Sequence, residues 1–193
     1  VPLDASGLPG QVRIIGGEWR GRKVAFTAAP GLRPTPDRVR ETVFNWLQGE
    51  VAGRRCLDLF AGSGALGLEA LSRGAGSVIF VESNVQSARH VAAALQKLAC
   101  TRGQVIRTDA LTYLSQPGEG FDIVFLDPPF ADQCLPQVCA LLESRGWLRP
   151  GALIYLEDSA AAGEPALPAA WALLKSKRAG EVGYHLARKT TDA

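Results

Sequence analysis

The chain contains no methionine, two histidines and four cysteines in 193 residues. Without methionine, Val1 is expected not to be the initiator, and a few residues are expected to precede it. Cys56, Cys100, Cys134 and Cys139 form no C-x-x-C pair and have no histidine-rich partner set. That excludes the common structural zinc patterns and points to reduced thiols in a cytoplasmic protein with no metal site. No apolar run approaches the ~20 residues of a membrane span. The opening VPLDASGLPGQ has no basic segment followed by an apolar one, so it does not read as a secretion signal. Repeats and low-complexity tracts are also missing, and nothing calls for more than a monomer.

What is present is enough apolar residue, 47% of the chain, to build a sizeable core. The net charge of +2 is unevenly spread. Residues 1–55 hold nine Lys or Arg against five Asp or Glu; the remainder hold twelve against fourteen. A basic front on a near-neutral body suits a polyanion, although ordinary surface scatter would look similar. The first eleven residues read as a loose tail. In VRIIGGEWRGRKVAF, apolar runs at 12–15 and 24–26 flank a glycine-rich centre, as in a β-hairpin. GLRPTPD is turn chemistry, with Thr35 and Asp37 able to cap a helix over 37–48. That helix places Val39, Val43, Phe44 and Leu47 on one face and Arg38, Glu41 and Asn45 on another. Residues 49–54 break the pattern. They divide an N-terminal extension, residues 1–50, from a main domain, residues 51–193.

Beyond residue 54, strands at 55–59, 77–81, 104–107, 121–126 and 152–156 alternate with helices at 65–72, 85–98, 110–115 and 135–144. Runs such as SVIFVE and FDIVFL are apolar throughout, as expected of strands covered on both faces. This is the pattern of an α/β, Rossmann-like domain with a mostly parallel sheet and helices on both faces. Further strands at 171–174 and 183–187, joined by SKRAGE, bring the sheet to seven, and one of the pair should run antiparallel.

CLDLFAGSGALGLEALSRGA carries the first chemical signal. A buried strand ends near Asp58, a loop carries Gly62 and Gly64, and a helix starts at Ala65. Such a loop lets a ligand approach the backbone and the free amides of the helix. Gly67 permits close packing of helix on strand, and Gly74 fits a helix C-cap. Gly62, Gly64 and Gly67 also match the dinucleotide fingerprint, with Glu82 about 20 residues on, where an acid holds a ribose diol. Taken alone, this fits a nicotinamide dinucleotide as well as S-adenosylmethionine. Asp58 favours the latter: its carboxylate can meet loop amides or an ammonium group, whereas it would repel a pyrophosphate. Asp109 in RTDAL follows a strand at the ligand-binding edge of the sheet. It can accept a hydrogen bond from an adenine amino group, cap the next helix, or both.

FDIVFLDPPF delivers Asp127, Pro128, Pro129 and Phe130 to the same edge. The prolines stiffen the loop and remove its amide donors, leaving acceptors beside an aromatic ring. Two acceptors can grip the hydrogens of an exocyclic amine, aim its lone pair and stabilise positive charge developing on nitrogen. Phe130 can stack on the base, which must first leave any helix it belongs to. A rigid turn is the plainer alternative. His90 and His185 stand alone and receive no chemistry; Trp19 is expected to pack.

DLFAGSG, Glu82, TDA and DPPF, in that order, resemble the motifs of class I S-adenosylmethionine-dependent methyltransferases. With RIIGGEWRGRKV and GLRPTPDRVRETVFNWL in front, the chain is similar to the RsmD family, which methylates guanine N2 in bacterial 16S rRNA. The likeness covers residues 13–156 well and the last 37 loosely. It implies that Asp58, Phe60, Ala61, Gly62, Ser63 and Gly64 hold the methionine part of the cofactor. Glu82 and Ser83 would hold the ribose, and Asp109 and Ala110 would flank the adenine. It also implies that Thr35 and Arg38 lie over the cofactor, and that Asp127, Pro128, Pro129 and Phe130 form the catalytic pocket. Arg13, Arg20, Arg22, Lys23, Arg33 and Arg40 would contact RNA phosphates, in 16S rRNA or a 30S particle. The alternatives are an adenine N6-methyltransferase of DNA, which shares DPPF but needs a target-reading insert; a nicotinamide-dependent dehydrogenase, in which Asp58 and DPPF have no task; and a non-catalytic RNA-binding module, for which an intact DPPF loop is unexpected.

Overall fold

The computed structural model describes residues 10–26, 35–129 and 132–190. Arg33 and Phe130 therefore lie outside the described residues. A hairpin pairs β1 (Gly10–Arg13) with β2 (Lys23–Phe26) in antiparallel register. Next come α1 (Asp37–Trp46), β3 (Arg55–Asp58), α2 (Ala65–Ser72), β4 (Ser77–Val81), α3 (Val85–Lys97) and β5 (Gly103–Ile106). Then follow α4 (Ala110–Leu114), β6 (Phe121–Leu126), α5 (Leu135–Ser144), β7 (Leu148–Ser159), β8 (Trp171–Ala179) and β9 (Val182–Lys189).

The last seven strands form one sheet in the order β5-β4-β3-β6-β7-β9-β8. The first five run parallel, and β9 is antiparallel to both of its neighbours. This is the mostly parallel seven-stranded Rossmann-like sheet expected from the alternation, with its one antiparallel member at β9. After β3 the chain moves outward through β4 and β5, then returns to place β6 on the other side of β3. The order therefore reverses between β3 and β6, and a crevice opens there at the strands' carboxyl ends.

Period-two alternation divides the core. Cys56, Val78, Phe80, Ile123, Phe125, Leu153 and Tyr155 face one layer. Leu57, Ile79, Val81, Val124, Leu126, Ile154 and Leu156 face the other, against Tyr113, Leu114, Val138 and Leu142. Ile14, Trp19, Val24, Val39, Val43, Phe44 and Leu47 from the N-terminal segment join the first layer, so hairpin and α1 pack on the face that carries α2 and α3. Trp19 is 3% exposed and packs, with the Arg102 guanidinium over its ring.

Some boundaries differ from expectation. Strand β1 begins at Gly10, within the segment read as a tail. Neither Thr35 nor Asp37 caps α1: Pro36 holds that position without a side-chain bond. The SKRA run lies inside β8, leaving only Gly180 and Glu181 between the last two strands. Almost every β8 side chain is exposed, so no alternation marks it, and only pairing to β9 extends it.

All of α2 is buried, and it lies hard against β4. A Cβ on Gly67 would stand 2.2 Å from Phe80 Cε1, which is why this helix position holds glycine. Gly74, at φ 92°, ends the helix in the left-handed region. Gly67→Ala should lower unfolding free energy in urea by about 1–3 kcal/mol through overpacking. An unchanged midpoint would show that the Phe80 ring yields freely.

Candidate active site

At the crevice the backbone of β3 turns sharply. Leu59 N–H donates to Phe125 O and Ala61 N–H to Val81 O, which hangs the loop between two neighbouring strands. Gly62 (φ 52°) and Gly64 (φ 77°) are left-handed, and Gly64 opens α2 with no side-chain cap. A Cβ on Gly64 would come within 3.0 Å of a Val91 methyl. Phe60 is half-buried, while Ala61 and Ser63 are buried.

Three acids flank this loop. Asp58 is buried, and its Oδ2 accepts from the Gly67 amide at 2.9 Å, a helix donor rather than one of the loop donors expected. Burial pushes its carboxyl up to about 7, the Glu82 charge adding to the rise and the Gly67 amide opposing it. Glu82 ties two loops together, accepting from Gly62 N–H on Oε2 and from Asn84 N–H on Oε1, both at 2.7 Å. Each carboxylate oxygen keeps a second lone pair for a diol. Ser83 is exposed beside it. Asn84, which sequence reasoning missed, caps α3 by accepting from the Gln86 and Ser87 amides; an Asn directly before a helix is the signal that could have found it. Asp109 caps α4 through the Thr112 amide at 2.8 Å, with buried Ala110 next to it. The Thr112 hydroxyl and amide hold the Asp109 carboxyl below its ordinary range.

Across the switch point, β6 leads into half-buried Asp127, buried Pro128 and exposed Pro129. The Thr35 hydroxyl lies 3.3 Å from Asp127 Oδ2 and 3.2 Å from Glu157 Oε1, so a single hydrogen is shared between two carboxylates. Tyr155 O–H also donates to Glu157 Oε1, at 2.7 Å. Burial, then the neighbouring Glu157 charge, pushes the Asp127 carboxyl well above its ordinary range; burial raises Glu157 as well. Neither Tyr155 nor Glu157 belongs to a motif. An acid closing the apolar run ALIYLE at a strand end was the available clue.

The basic residues separate. Arg13 and Lys23 face each other in the hairpin register and are exposed, with Arg13 paired to Asp37. Arg20 and Arg22 are exposed in the hairpin turn. That turn is bound to Ser72 at the far end of α2, about 12 Å of helix from the glycine loop. Arg38 lies exposed on α1 with Glu41 and Asn45.

Arg40 corrects an expectation. It is 1% exposed rather than a phosphate contact. It donates to Asp37 Oδ1, Arg13 O and Thr35 O, and pairs with Glu69 Oε2 at 3.5 Å. Helical spacing explains the error: Arg40 shares the inward face of α1 with Val39, Val43 and Phe44.

Among the described residues, no group of three or more His, Cys, Asp or Glu could hold a metal ion. No helix among them is long and apolar enough to cross a membrane. The reversed strand order, the glycine loop at the switch point and the DPP loop opposite define the Rossmann-like fold of S-adenosylmethionine-dependent methyltransferases.

The family model described as "Conserved hypothetical protein 95" matches residues 12–188, and the chain belongs to that family, the RsmD family. The chain is 48% identical over 177 residues to ribosomal RNA small subunit methyltransferase D of Escherichia coli (strain K12), covering 92% of this chain and 89% of that protein. It is 47% identical over 182 residues to the protein of that name from Haemophilus influenzae, covering 92% and 93%. A solved structure titled putative methyltransferase yhhF from Escherichia coli superposes with a TM-score of 0.90 at 44% identity, covering 95% of this chain and all of that one.

Removing Arg40 leaves buried Glu69 with one fewer positive partner. Arg40→Ala should cost roughly 3 kcal/mol in urea unfolding. A variant of full stability that only bound RNA more weakly would return Arg40 to the RNA surface.

Proposed function

We propose that this protein transfers a methyl group from S-adenosylmethionine to the exocyclic N2 of a guanine in bacterial 16S rRNA, acting as a cytoplasmic monomer on a 30S particle or its precursor. The carrying observation is the placement of an acceptor-bearing loop, Asp127-Pro128, across one switch point from a glycine loop flanked by three acids. The names of the two curated relatives support rRNA of the small subunit as the substrate.

The donor set fits the cofactor better than it fits a dinucleotide. Buried Asp58 suits an ammonium group and opposes a pyrophosphate. Glu82 has lone pairs to spare for a ribose diol, and Asp109 can accept from an adenine amine beside Ala110. In this reading Asp58, Phe60, Ala61, Gly62, Ser63 and Gly64 hold the methionine part, Ser83 assists Glu82, and Thr35 and Arg38 cover the site. Residues 1–50 act as an extension that carries the RNA contacts Arg13, Arg20, Arg22, Lys23 and Arg33.

When bound, S-adenosylmethionine supplies an electrophilic methyl: the amine lone pair forms the N–C bond while the C–S electrons stay on sulfur, which becomes neutral. The protein's part is orientation and charge. Asp127 and the Pro128 carbonyl would accept the two amine hydrogens, which draws the nitrogen toward a pyramidal geometry, withdraws its lone pair from conjugation with the ring and aims it along the normal of the base, where the methyl would be presented. The Asp127 carboxylate stabilises positive charge on nitrogen as it grows. Phe130 supplies the stacking surface for the base.

Asp127→Ala should lower methyl transfer by about 10²–10³-fold or more while cofactor affinity stays at the wild-type level; equal loss of both would refute its role. The substrate test offers 30S particles lacking the modification, naked 16S rRNA and genomic DNA with labelled cofactor, followed by nucleoside analysis. Label in N2-methylguanosine is expected. N6-methyladenine in DNA would replace the proposal with the DNA enzyme.

Asp58 adds a pH dependence. Its folded carboxyl titrates near 7 against an ordinary 3.8, so its contribution to ligand-free stability is complete below 3.8 and lost as pH rises through about 7. Binding an ammonium group favours the ionised form. Cofactor affinity should therefore fall about tenfold per pH unit below 7, with a proton released on binding there. Calorimetry in buffers of different ionisation enthalpy reads that proton; Asp58→Asn should abolish it. Binding that is flat from pH 5.5 to 8 would exclude this contact.

A further inference from the structure

We propose that Glu157 is a positioning residue for methyl transfer: anchored by Tyr155 and bridged through Thr35, its buried carboxylate fixes Asp127 and makes it a better acceptor for the proton the methylated amine must lose. The inference rests on the proposed role of Asp127 as the group that grips the amine.

Three elements remote in sequence meet here. Thr35 lies just ahead of α1, Asp127 directly follows β6, and Tyr155 and Glu157 come from β7. Glu157 is 4% exposed, and its Oε1 takes both the Tyr155 and the Thr35 hydroxyls. Thr35 has one hydrogen and two carboxylate acceptors, so it serves as a bridge. Among the described residues, no Lys or Arg pairs with either Asp127 or Glu157. The other ionisable group felt at Asp127 is Asp58 from β3, which adds to the cost of negative charge there; Tyr184 from β9 acts on the Tyr155 hydroxyl. Two adjacent carboxyl groups that share one hydroxyl and have no cationic partner among the described residues hold a proton more tightly than either would alone.

That property has a use. Once the N–C bond has formed, nitrogen carries a positive charge and must release one N–H proton. A carboxylate of ordinary basicity takes it reluctantly; one beside a second negative charge takes it readily. The N–H bond electrons return to nitrogen, the proton passes to Asp127 and is held between Asp127 and Glu157. It leaves to water from the half-exposed Asp127. Tyr155 keeps Glu157 from turning away.

The test uses the full chain. Carbon-13 NMR titration of the Asp127 carboxyl is run on ligand-free wild type, Glu157→Gln and Thr35→Val, with pH profiles of kcat/KM and cofactor affinity alongside. Glu157→Gln keeps the shape and both hydroxyl bonds but removes the charge. The Asp127 titration and the acid limb of the profile should both move down by about one pH unit or more, with cofactor affinity unchanged. Thr35→Val removes the donor from Asp127 and should move both upward. A merely structural role would lower rates without opposite displacements. Should Glu157→Gln fail to fold, the upward move in Thr35→Val still decides. Wild-type titration in both folded variants overturns the inference; transfer that survives Asp127→Ala overturns the underlying reading instead.

Discussion

Glu69 is a carboxylate buried completely inside the first apolar layer, and the N-terminal third of the molecule is organised by the need to compensate it. Its oxygens take the amides of Ile15 and Gly16 from the hairpin, the Arg40 guanidinium from α1 and the Arg73 guanidinium from its own helix. A carboxylate in that position without these partners would be expensive enough to unfold its surroundings. Arg40 is in turn fully engaged, donating to Asp37 and to the carbonyls of Arg13 and Thr35. One buried charge thus joins hairpin, α1 and α2 into a single arrangement.

The consequence reaches the crevice. Arg40 grips the Thr35 carbonyl, and the Thr35 hydroxyl lies between Asp127 and Glu157. The N-terminal segment therefore does more than cover one face of the sheet. It supplies a donor shared by the two carboxylates near the ends of β6 and β7, of which Glu157 also takes the Tyr155 hydroxyl. The acidic character of the whole edge, with Asp58, Glu82, Asp109, Asp127 and Glu157 near strand ends, follows from the topology. Carboxyl ends of parallel strands converge there, and helix N-termini supply amides that stabilise negative groups. Gly67 with Asp58 and Thr112 with Asp109 are two instances of that pairing, and the loop amide of Gly62 serves Glu82 in the same way.

The two ends of α2 reach different parts of the surface. Its amino end, with Gly64, faces the crevice. Its carboxyl end, with Ser72, binds the hairpin turn that carries Arg20 and Arg22.

Much of this was determined by the chain's own local chemistry. Strands such as SVIFV and FDIVFL must be covered on both faces because they offer no polar side. Gly62, Gly64 and Gly67 stand where the backbone turns left-handed or meets Phe80, and DPP is stiff wherever it is placed. Fold class, the glycine loop and the DPP loop are accordingly readable from spacing alone. The rest depended on contacts between distant segments, which periodicity does not encode. An arginine on an amphipathic helix looks solvated until the opposing Glu69 is known, so Arg40 read as a phosphate contact. Thr35 resembled a helix cap because its true partners lie 92 and 122 residues away. Strand β8 shows no alternation, since its side chains are exposed and its hydrogen bonds come from β9. Glu157 belongs to no motif and acquires its meaning only where β7 lies beside β6. Local patterns specify which elements form; burial of charge, which depends on what packs opposite, decided which polar residues face each other.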